Sequence, residues 1–505
     1  MSPVDDNTTD LVVVANRLPF RRIDTDGQVE WTTSPGGLVA ALAPALAAAE
    51  NLVWVGWAGD LSAEPHETAV VGGMRLAPVW LSAEDKQLFY DGMSNGTIWP
   101  LYHDKVEPAE FHRSWYDRYH RVNQRFADVA ASAAPFGSLV WVHDYQLQLV
   151  PAMLRQARPD LRIGFFLHIP FPPEELFRQL PWRESLTRGI LGADLVGFQT
   201  PDGAENFGRL AVALGVAVRD RRSILNVEGR RVHIRSFPIG IDDDRYDSEA
   251  RNPAITDAAR DLRARLGQPR VVLLGVDRLD YTKGIDVRIR AFKELLADGR
   301  IHPSQVTMIQ VAEPSRDEVN AYISLRGRVE QLVGEINGDF GRVGFPVLHY
   351  IHQAQNFEEI LSLYRAADVM LVTPFRDGMN LVAKEYVATR YDETGVLVLS
   401  EFAGAAHQLK RALLVNPYDI VGMKNTIVNA IEMSQAEART RMRDLRRAVK
   451  RNNAVSWARS FLGAMPDHDG HVSDDDGLHP RQVGIHNGGG LSPSTAGSEQ
   501  DLPGG

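Results

Sequence analysis

The chain has 505 residues, which is too long for one compact core, so the sequence predicts two domains of ordinary size. A formal net charge of -10 argues against a nucleic-acid-binding protein, because such proteins usually carry a basic excess on one face. The absence of cysteine excludes disulfides and thiolate metal sites, and it is typical of a protein in a reducing compartment.

The apolar runs of the sequence are short. The runs at residues 11–15 and 271–274 are far below the roughly 20 residues that a membrane-spanning helix needs. The first ten residues are acidic and polar, whereas a secretory signal starts with basic residues followed by an apolar stretch. We therefore expect a cytoplasmic protein that does not bind membranes or nucleic acid, with a flexible N-terminus at residues 1–9.

Short β-branched runs recur along the first half, and most of them precede a stretch with helical periodicity. Continuous rather than alternating apolarity indicates strands that are covered on both faces, as in a parallel sheet. The predicted strands of this half are residues 11–14, 52–55, 139–142, 163–167 and 194–198. The pattern predicts an α/β fold, with a first Rossmann-like domain at residues 10–245.

A second series of strands follows, with helices predicted at residues 357–367 and 381–390. The strands are residues 271–275, 306–311, 347–351, 369–373, 396–399 and 413–415. They predict a second doubly wound domain at residues 246–440. Residues 467–505 are rich in Gly, Asp, Ser and Pro and predict a disordered tail, whose histidines lack the regular spacing of a metal site.

Ligands of doubly wound sheets bind beyond the carboxyl ends of the strands, so polar residues there are candidates for a site. Arg17 ends the first strand and could contact a ligand or form a structural ion pair. The pair at residues 36–37 is Gly-Gly, which lets backbone amides approach a phosphate, although a simple turn is the favoured interpretation. Asp144 could act at the site or cap a helix, and His168 could bond a sugar hydroxyl or a backbone carbonyl.

The second half offers two cations at one strand end. Arg278 and Lys283 are five residues apart across a turn, so both could contact one diphosphate. Alternatively, Asp277 and Asp280 neutralise them locally. Because the sequence has no other phosphate-binding motif, we favour a ligand.

The segment at residues 372–385 repeats the order of strand, glycine-containing turn and helix. Glu385 lies within the helix and could hold ribose hydroxyls, while the helix N-terminus faces an anionic oxygen. The alternative for Asp377 is that it only caps this helix.

Five segments together resemble the trehalose-6-phosphate synthase family of glycosyltransferases. They are NRLP at 16–19, HDY at 143–145, FFLHIP at 165–170, VDRLDYTKG at 276–284 and RDGMNLVAKE at 376–385. They occur in the expected order, and the resemblance covers about residues 10–460. It implies the GT-B architecture of two Rossmann-like domains facing across a cleft, with a C-terminal helix at 441–466 packing back on the first domain. It also implies a homo-oligomer, with a tetramer as the family's example.

The resemblance implies one site for a nucleotide-glucose donor and one for glucose 6-phosphate as acceptor. The donor site would comprise Gly36, Gly37, His168, Arg278, Lys283, Asp377, Met379, Asn380, Leu381, Val382, Ala383, Lys384 and Glu385. The acceptor site would comprise Arg17, Tyr90, Trp99, Asp144 and Arg316, and Trp99 and Ile169 would select the anomer. The catalytic group would be Asp144, His168, Arg278, Lys283 and Asp377.

The implied reaction is transfer of glucose with retention, giving trehalose 6-phosphate and a nucleoside diphosphate without a metal or other cofactor. We see no pair of carboxylates such as retaining glycosidases use. The resemblance instead implies a front-face displacement. Residues 351–357 differ from the family pattern, which leaves UDP-glucose and ADP-glucose open as donors. Alternatives are a glucosylglycerol-phosphate synthase and a non-catalytic sugar-phosphate-sensing subunit.

Overall fold

A computed structural model of the chain describes residues 11–25, 28–34, 42, 46, 51–62, 64–107, 109–316 and 319–467. The predicted flexible N-terminus at 1–9 lies outside the described residues. So does the predicted tail, apart from Asp467.

Ten strands of the first half form one sheet, and two more form a separate hairpin. In chain order they are β1 (Leu11–Arg17), β2 (Phe20–Thr25), β3 (Gln28–Thr33), β4 (Leu52–Trp57), β5 (Ala69–Val71), β6 (Met74–Val79), β7 (Leu139–His143), β8 (Arg162–Phe166), β9 (Leu195–Phe198), β10 (Val218–Arg221), β11 (Ile224–Val227) and β12 (Arg230–Ser236). The sheet order is β10-β11-β12-β9-β8-β7-β1-β4-β6-β5, and β2 pairs with β3. The strands from β12 to β6 run parallel, while β5, β10 and β11 pair antiparallel at the edges.

Six strands of the second half form an entirely parallel sheet. They are β13 (Val271–Arg278), β14 (Val306–Glu313), β15 (Leu348–Ile351), β16 (Val369–Val372), β17 (Val396–Ser400) and β18 (Leu413–Val415). The strand order is β15-β14-β13-β16-β17-β18. β14 and β15 are added on one side of β13 and β16 to β18 on the other, as in doubly wound folds. The prediction of an α/β fold with two doubly wound domains is confirmed, while the boundary at residues 245 and 246 stays a prediction.

Helices cover both sheets. Those of the first half are Ala83–Asp85, Trp99–Tyr102, Arg113–Ala133, Val150–Ala157, Glu174–Phe177, Arg183–Ile190 and Pro201–Ala213. Those of the second half are Asp243–Ala250, Pro253–Arg265, Ile285–Ala297, Asn320–Phe340, Phe357–Ala366, Leu381–Thr389, Ile420–Glu432, Gln435–Arg451 and Ala454–Gly463. Single 3-10 turns lie at Tyr145–Leu147, Tyr281–Lys283 and Gly404–His407. Among the described residues, no helix combines the length and apolarity that a membrane crossing requires.

A π-helical segment at Lys86–Ile98 departs from ordinary helix geometry. Its wider turns run directly into the helix Trp99–Tyr102. Tyr90 and Trp99 are therefore carried by one continuous element of the first domain. π-Helical turns are rare and occur frequently at functional sites.

The prediction of one C-terminal helix at 441–466 is wrong, because two helices lie there. Gln435–Arg451 ends before Asn453, whose side chain accepts a hydrogen bond from the backbone amide of Ser456 and so starts the helix Ala454–Gly463. An asparagine cap of this kind favours a helix start over continuation through residue 453. The second helix does return to the first domain, as the resemblance implied.

Phe461 anchors this returning helix on the first sheet. Its ring stacks on Trp141 with centroids 4.5 Å apart, and it meets the edges of Phe166 and Phe237. Gly197 on β9 leaves room for the ring, since a Cβ there would lie 2.7 Å from Phe461 Cε2. The C-terminal helix is thus part of the core of the first domain.

We expect Phe461→Ala to lower the free energy of unfolding by roughly 3–5 kcal/mol, because it leaves a cavity in a closely packed aromatic cluster. Urea denaturation followed by tryptophan fluorescence measures the change. Arg459→Ala, at an exposed position of the same helix, is the control and should change stability little. Equal stability of the two variants would contradict the core role of the helix.

Candidate active site

A cleft of about 590 Å³ lies between the two sheets. Its walls come from residues that follow β7, β8 and β9 of the first sheet and β13, β14 and β16 of the second. This is the edge at which doubly wound sheets bind ligands. Of the predicted site residues, the cleft is lined by Tyr90, Trp99, Asp144, His168, Ile169, Arg278, Lys283, Arg316, Asp377, Met379, Asn380, Leu381, Val382 and Glu385.

Arginines from both domains converge on Tyr90. The guanidinium carbon of Arg17, at the end of β1, lies 4.3 Å from the Trp57 ring centroid and 5.8 Å from that of Tyr90. Burial raises the pKa of Tyr90, but the charges of Arg316, Arg17 and Arg278 outweigh it and hold that pKa below its ordinary value. Arg17 is the residue of this group that belongs to the first domain, so the cationic end of the cleft is assembled across the domain interface.

Arg316 is held from several sides. Its guanidinium carbon lies 4.1 Å from the Trp99 ring centroid, and its Nη2 donates to the Tyr145 hydroxyl at 3.2 Å. Its Nη1 donates to the Tyr322 hydroxyl and lies 3.6 Å from a carboxylate oxygen of Asp280. Burial raises the pKa of Asp280, yet nearby cations, Arg316 first among them, lower it to about 2. A permanently ionised Asp280 fixes the arginine in the cleft.

The second pair of cations lies at the end of β13. Arg278 is exposed, with its guanidinium carbon 5.5 Å from the Trp99 ring centroid. Lys283 Nζ lies 2.5 Å from Asp377 Oδ2. The alternative of local neutralisation holds only in part. Asp277 forms a buried ion pair with Arg288, whereas the charges of Lys283 and Arg278 help to lower the pKa of Asp280.

Asp144 is placed by unusual backbone geometry rather than by helix capping. Its φ is 74°, and its side chain makes no capping hydrogen bond to the turn that follows. Instead, Asp144 Oδ1 accepts a hydrogen bond from the backbone amide of His168 at 3.2 Å. Burial raises the pKa of Asp144 to about 6. Positive φ at a non-glycine residue costs free energy and is common at functional sites.

His168 pairs with another histidine of the first domain. Its Nε2 lies 3.1 Å from Nδ1 of His143, so one ring donates and the other accepts. Burial lowers the pKa of His168 to about 3 and that of His143 well below its ordinary value. Both rings are therefore neutral at neutral pH.

The two domains touch at Gly378. A Cβ at this position would lie 2.1 Å from the backbone carbonyl oxygen of His168, so the contact requires glycine. Asn380, not Asp377, caps the helix Leu381–Thr389, since its side chain accepts from the Ala383 amide. This frees the Asp377 carboxylate to bind Lys283 and to accept from Asn380 Nδ2 at 3.1 Å.

Four predicted donor residues do not line the described cleft. Gly36 and Gly37 lie outside the described residues. Ala383 is fully buried, and the ammonium of Lys384 does not reach the cleft because it is bonded to Ile239 and Gln408. Helix geometry explains the difference, because residues 383 and 384 face away from the side of the helix that carries Glu385 to the cleft.

Glu385 closes the other end of the cleft. Its Oε2 accepts a hydrogen bond from the Tyr364 hydroxyl at 3.0 Å. Burial raises the pKa of Glu385 above its ordinary value. The carboxyl group is positioned to accept hydrogen bonds from a ligand's hydroxyl groups.

Sequence analysis missed His103, which also lines the cleft. Its ring lies 4.1 Å from that of Trp99, and its Nδ1 is 2.7 Å from the Trp99 carbonyl oxygen. Burial lowers its pKa to about 4, so the ring is neutral. The four-residue spacing from Trp99 was an available signal, since residues four apart share one face of a helix.

Comparison with known proteins identifies the family. The family model described as Glycosyltransferase family 20 matches residues 9–467. The chain belongs to glycosyltransferase family 20. A protein of Mycolicibacterium gilvum named trehalose-6-phosphate synthase is 54% identical over 473 residues, covering 90% of this chain and 93% of that protein. A protein of the same name from Mycolicibacterium smegmatis is 53% identical over 468 residues, covering 91% and 92%.

Solved structures of family members share the fold. An alpha,alpha-trehalose-phosphate synthase (UDP-forming) from Burkholderia xenovorans, in complex with glucose-6-phosphate, is 35% identical with a TM-score of 0.83. The match covers 90% of this chain and 99% of the Burkholderia xenovorans chain. An E. coli structure bound with UDP-2-fluoro glucose is 34% identical, with the same TM-score and coverage. The chain is therefore a glycosyltransferase with the architecture of these enzymes.

We expect Asp144→Asn to raise the melting temperature of the unliganded protein at pH 7.5. The folded-state pKa of about 6 lies above the ordinary 3.8, so the folded protein binds the extra proton between these values and loses stability as the pH rises through them. Removing the charge should therefore stabilise most above pH 6 and much less at pH 4.5. Thermal unfolding at both pH values measures this, with exposed Asp261→Asn as control. An equal effect at both pH values would contradict the buried charge.

Proposed function

We propose that this glycosyltransferase transfers glucose from a nucleoside diphosphate glucose to glucose 6-phosphate, giving trehalose 6-phosphate and the nucleoside diphosphate. The observation that carries the proposal is the arrangement of two pairs of cations at one cleft. Arg278, Lys283 and Arg316 line it, and Arg17 lies beside Tyr90, which also lines it. Arg17 and Arg316 lie beside Tyr90, while Arg278 and Lys283 lie at the end of β13. Two phosphorylated ligands can thus meet with their sugars between the cations.

Arg17 and Arg316 would hold the acceptor phosphate. Guanidinium groups bind phosphate oxygens through paired charge-assisted hydrogen bonds. Because the two arginines come from different domains, acceptor binding favours closure of the cleft. The rings of Tyr90 and Trp99 would enclose the acceptor sugar and limit hydrolysis of the donor by water.

Arg278 and Lys283 would stabilise the negative charge that develops on the departing diphosphate. Lys283 forms an ion pair with Asp377, which fixes the position of the lysine ammonium. The N-terminus of the helix Leu381–Thr389 adds a favourable potential for phosphate oxygens. These groups support a reaction that needs no metal ion or other cofactor.

The bond between C1 of glucose and the diphosphate oxygen would break while C1 bonds to O1 of the acceptor on the same face. The proton of the acceptor hydroxyl would pass to the departing diphosphate oxygen. Because the acceptor bonds directly to C1, no covalent enzyme intermediate would form. Asp144 and His168 would orient the sugar hydroxyls, and Trp99 and Ile169 would select the acceptor anomer. Glu385 would bind the ribose of the donor.

Compartment and assembly belong to the same proposal. A cytoplasmic location is part of the proposal, and a sequence without cysteine fits a reducing compartment. A homo-oligomer, with a tetramer as one form, stays a prediction. Size-exclusion chromatography with light scattering tests it.

An assay that pairs UDP-, ADP- and GDP-glucose with glucose 6-phosphate or glycerol 3-phosphate tests the proposed function. We expect trehalose 6-phosphate from glucose 6-phosphate with UDP- or ADP-glucose, at an unchanged rate after EDTA treatment. Mass spectrometry identifies the product, and proton NMR reports the anomeric configuration. Turnover with glycerol 3-phosphate alone would replace the proposal with a glucosylglycerol-phosphate synthase, and no turnover would favour a sensing subunit.

We expect Arg17→Ala to raise the KM for glucose 6-phosphate about 10–100-fold, because a charge-assisted hydrogen bond is worth roughly 1.5–3 kcal/mol. The KM for the donor should change little. Initial-rate kinetics with each substrate varied in turn measure the split. Arg75→Ala replaces an exposed arginine of the same domain and serves as control. An unchanged acceptor KM would remove Arg17 from the acceptor site.

A further inference from the structure

Lys384 has an unusual environment for a lysine. It is fully buried, and its Nζ donates to the backbone carbonyl of Ile239 at 2.5 Å and to Oε1 of Gln408 at 2.6 Å. No carboxylate among the described residues pairs with the ammonium, and burial lowers its pKa to about 7. Burying a cation without a carboxylate is costly, and an apolar side chain of similar size would pack there without that cost. The two hydrogen bonds are therefore the distinctive contribution of the lysine.

Ile239 lies where the chain passes from one sheet to the other. β12 of the first sheet ends at Ser236, and the next helix, Asp243–Ala250, packs with the second domain. We call residues 237–242 the crossover segment. The backbone amide of Ile239 donates to Oε1 of Gln199, directly after β9, at 3.0 Å. Ile239 is thus held by the first sheet through its N–H. Its carbonyl is held by the helix Leu381–Thr389, which we call the donor-side helix.

These bonds lie directly beside the cleft. Ile239 and Gln199 both line it, and Lys384 sits between two predicted donor residues, Val382 and Glu385, on one short helix. A tilt of this helix relative to the crossover segment would displace Glu385 and the first helical turn, which line the cleft. Small displacements of this kind reduce the rate of a positioned reaction steeply.

We propose that Lys384 is a positioning residue that fixes the angle between the donor-side helix and the crossover segment, and so sets the geometry in which the two domains close. The inference rests on the proposed function for its effect on turnover. It assigns Lys384 no contact with substrate. The role predicted from the sequence, donor binding by the Lys384 side chain, is thereby replaced by a connection behind the site.

The test compares Lys384→Met, Lys384→Arg and Gln408→Leu with the wild type. Lys410→Met, which changes an exposed lysine of the same domain, is the matched control. Hydrogen exchange of residues 237–242 is measured without ligand, together with exchange of β7 as an internal reference. Steady-state kinetics with both substrates follow, and circular dichroism and thermal unfolding establish the folded fraction.

We expect Lys384→Met to speed exchange in the crossover segment at least 10-fold while β7 is unchanged, and to lower kcat about 10–100-fold per folded molecule. Lys384→Arg keeps donors for both carbonyls and should recover most of kcat. Gln408→Leu removes one acceptor and should shift both readouts in the same direction by less. It also carries the test if Lys384→Met does not fold.

Three results would overturn the proposal. They are unchanged exchange in the crossover segment, faster exchange at normal kcat, and a loss of activity explained entirely by a smaller folded fraction. The exchange measurement needs no turnover. A wild-type protein that fails to make trehalose 6-phosphate would therefore refute the proposed function while leaving the connection itself still measurable.

Discussion

The site depends on a balance of charge. Several cations repel one another in the cleft, and a few carboxylates offset part of that repulsion. Arg17, Arg278 and Arg316 all act on Tyr90, and Lys283 lies in the same cleft. Like charges that share a partly buried space repel each other. Asp280 and Asp377 offset part of this repulsion, and both keep low pKa values because the cations surround them. Anionic ligands complete the neutralisation, so the cleft is built to be most stable when phosphates occupy it.

Much of the fold could be predicted because its strands carry continuous apolar runs. β1, β7, β13 and β16 are covered on both faces, and such runs stand out in the sequence. The helices predicted at residues 357–367 and 381–390 each end one residue earlier, at Phe357–Ala366 and Leu381–Thr389. β10, β12 and the hairpin β2–β3 were missed because their sequences are mostly polar, so their pairing depends on neighbouring strands rather than on a local apolar pattern.

The site was predicted less evenly, because the sequence does not show in which direction each side chain points. Sequence segments gave the right elements, but a residue's place along a helix does not say which side chains reach the cleft until the helix is packed. Lys384 and Glu385 are neighbours, yet one bonds to the crossover segment and the other lines the cleft. His103 was missed although it lies four residues after Trp99, because the sequence alone does not show that this face of the element lines the cleft. No propensity rule predicts a π-helix of this length.

The returning helix Ala454–Gly463 also constrains the order in which the parts of the protein can fold. Its Phe461 and Trp457 fill the face of the first sheet around Trp141, a residue synthesised more than 300 positions earlier. During translation, the first domain leaves the ribosome with this aromatic surface still uncovered, and the second domain is completed before the cover arrives. The N-terminal half therefore cannot finish folding as a unit ahead of the rest, in contrast to the usual order in multidomain chains. Its aromatic surface is covered only after residues 454–463 have been synthesised.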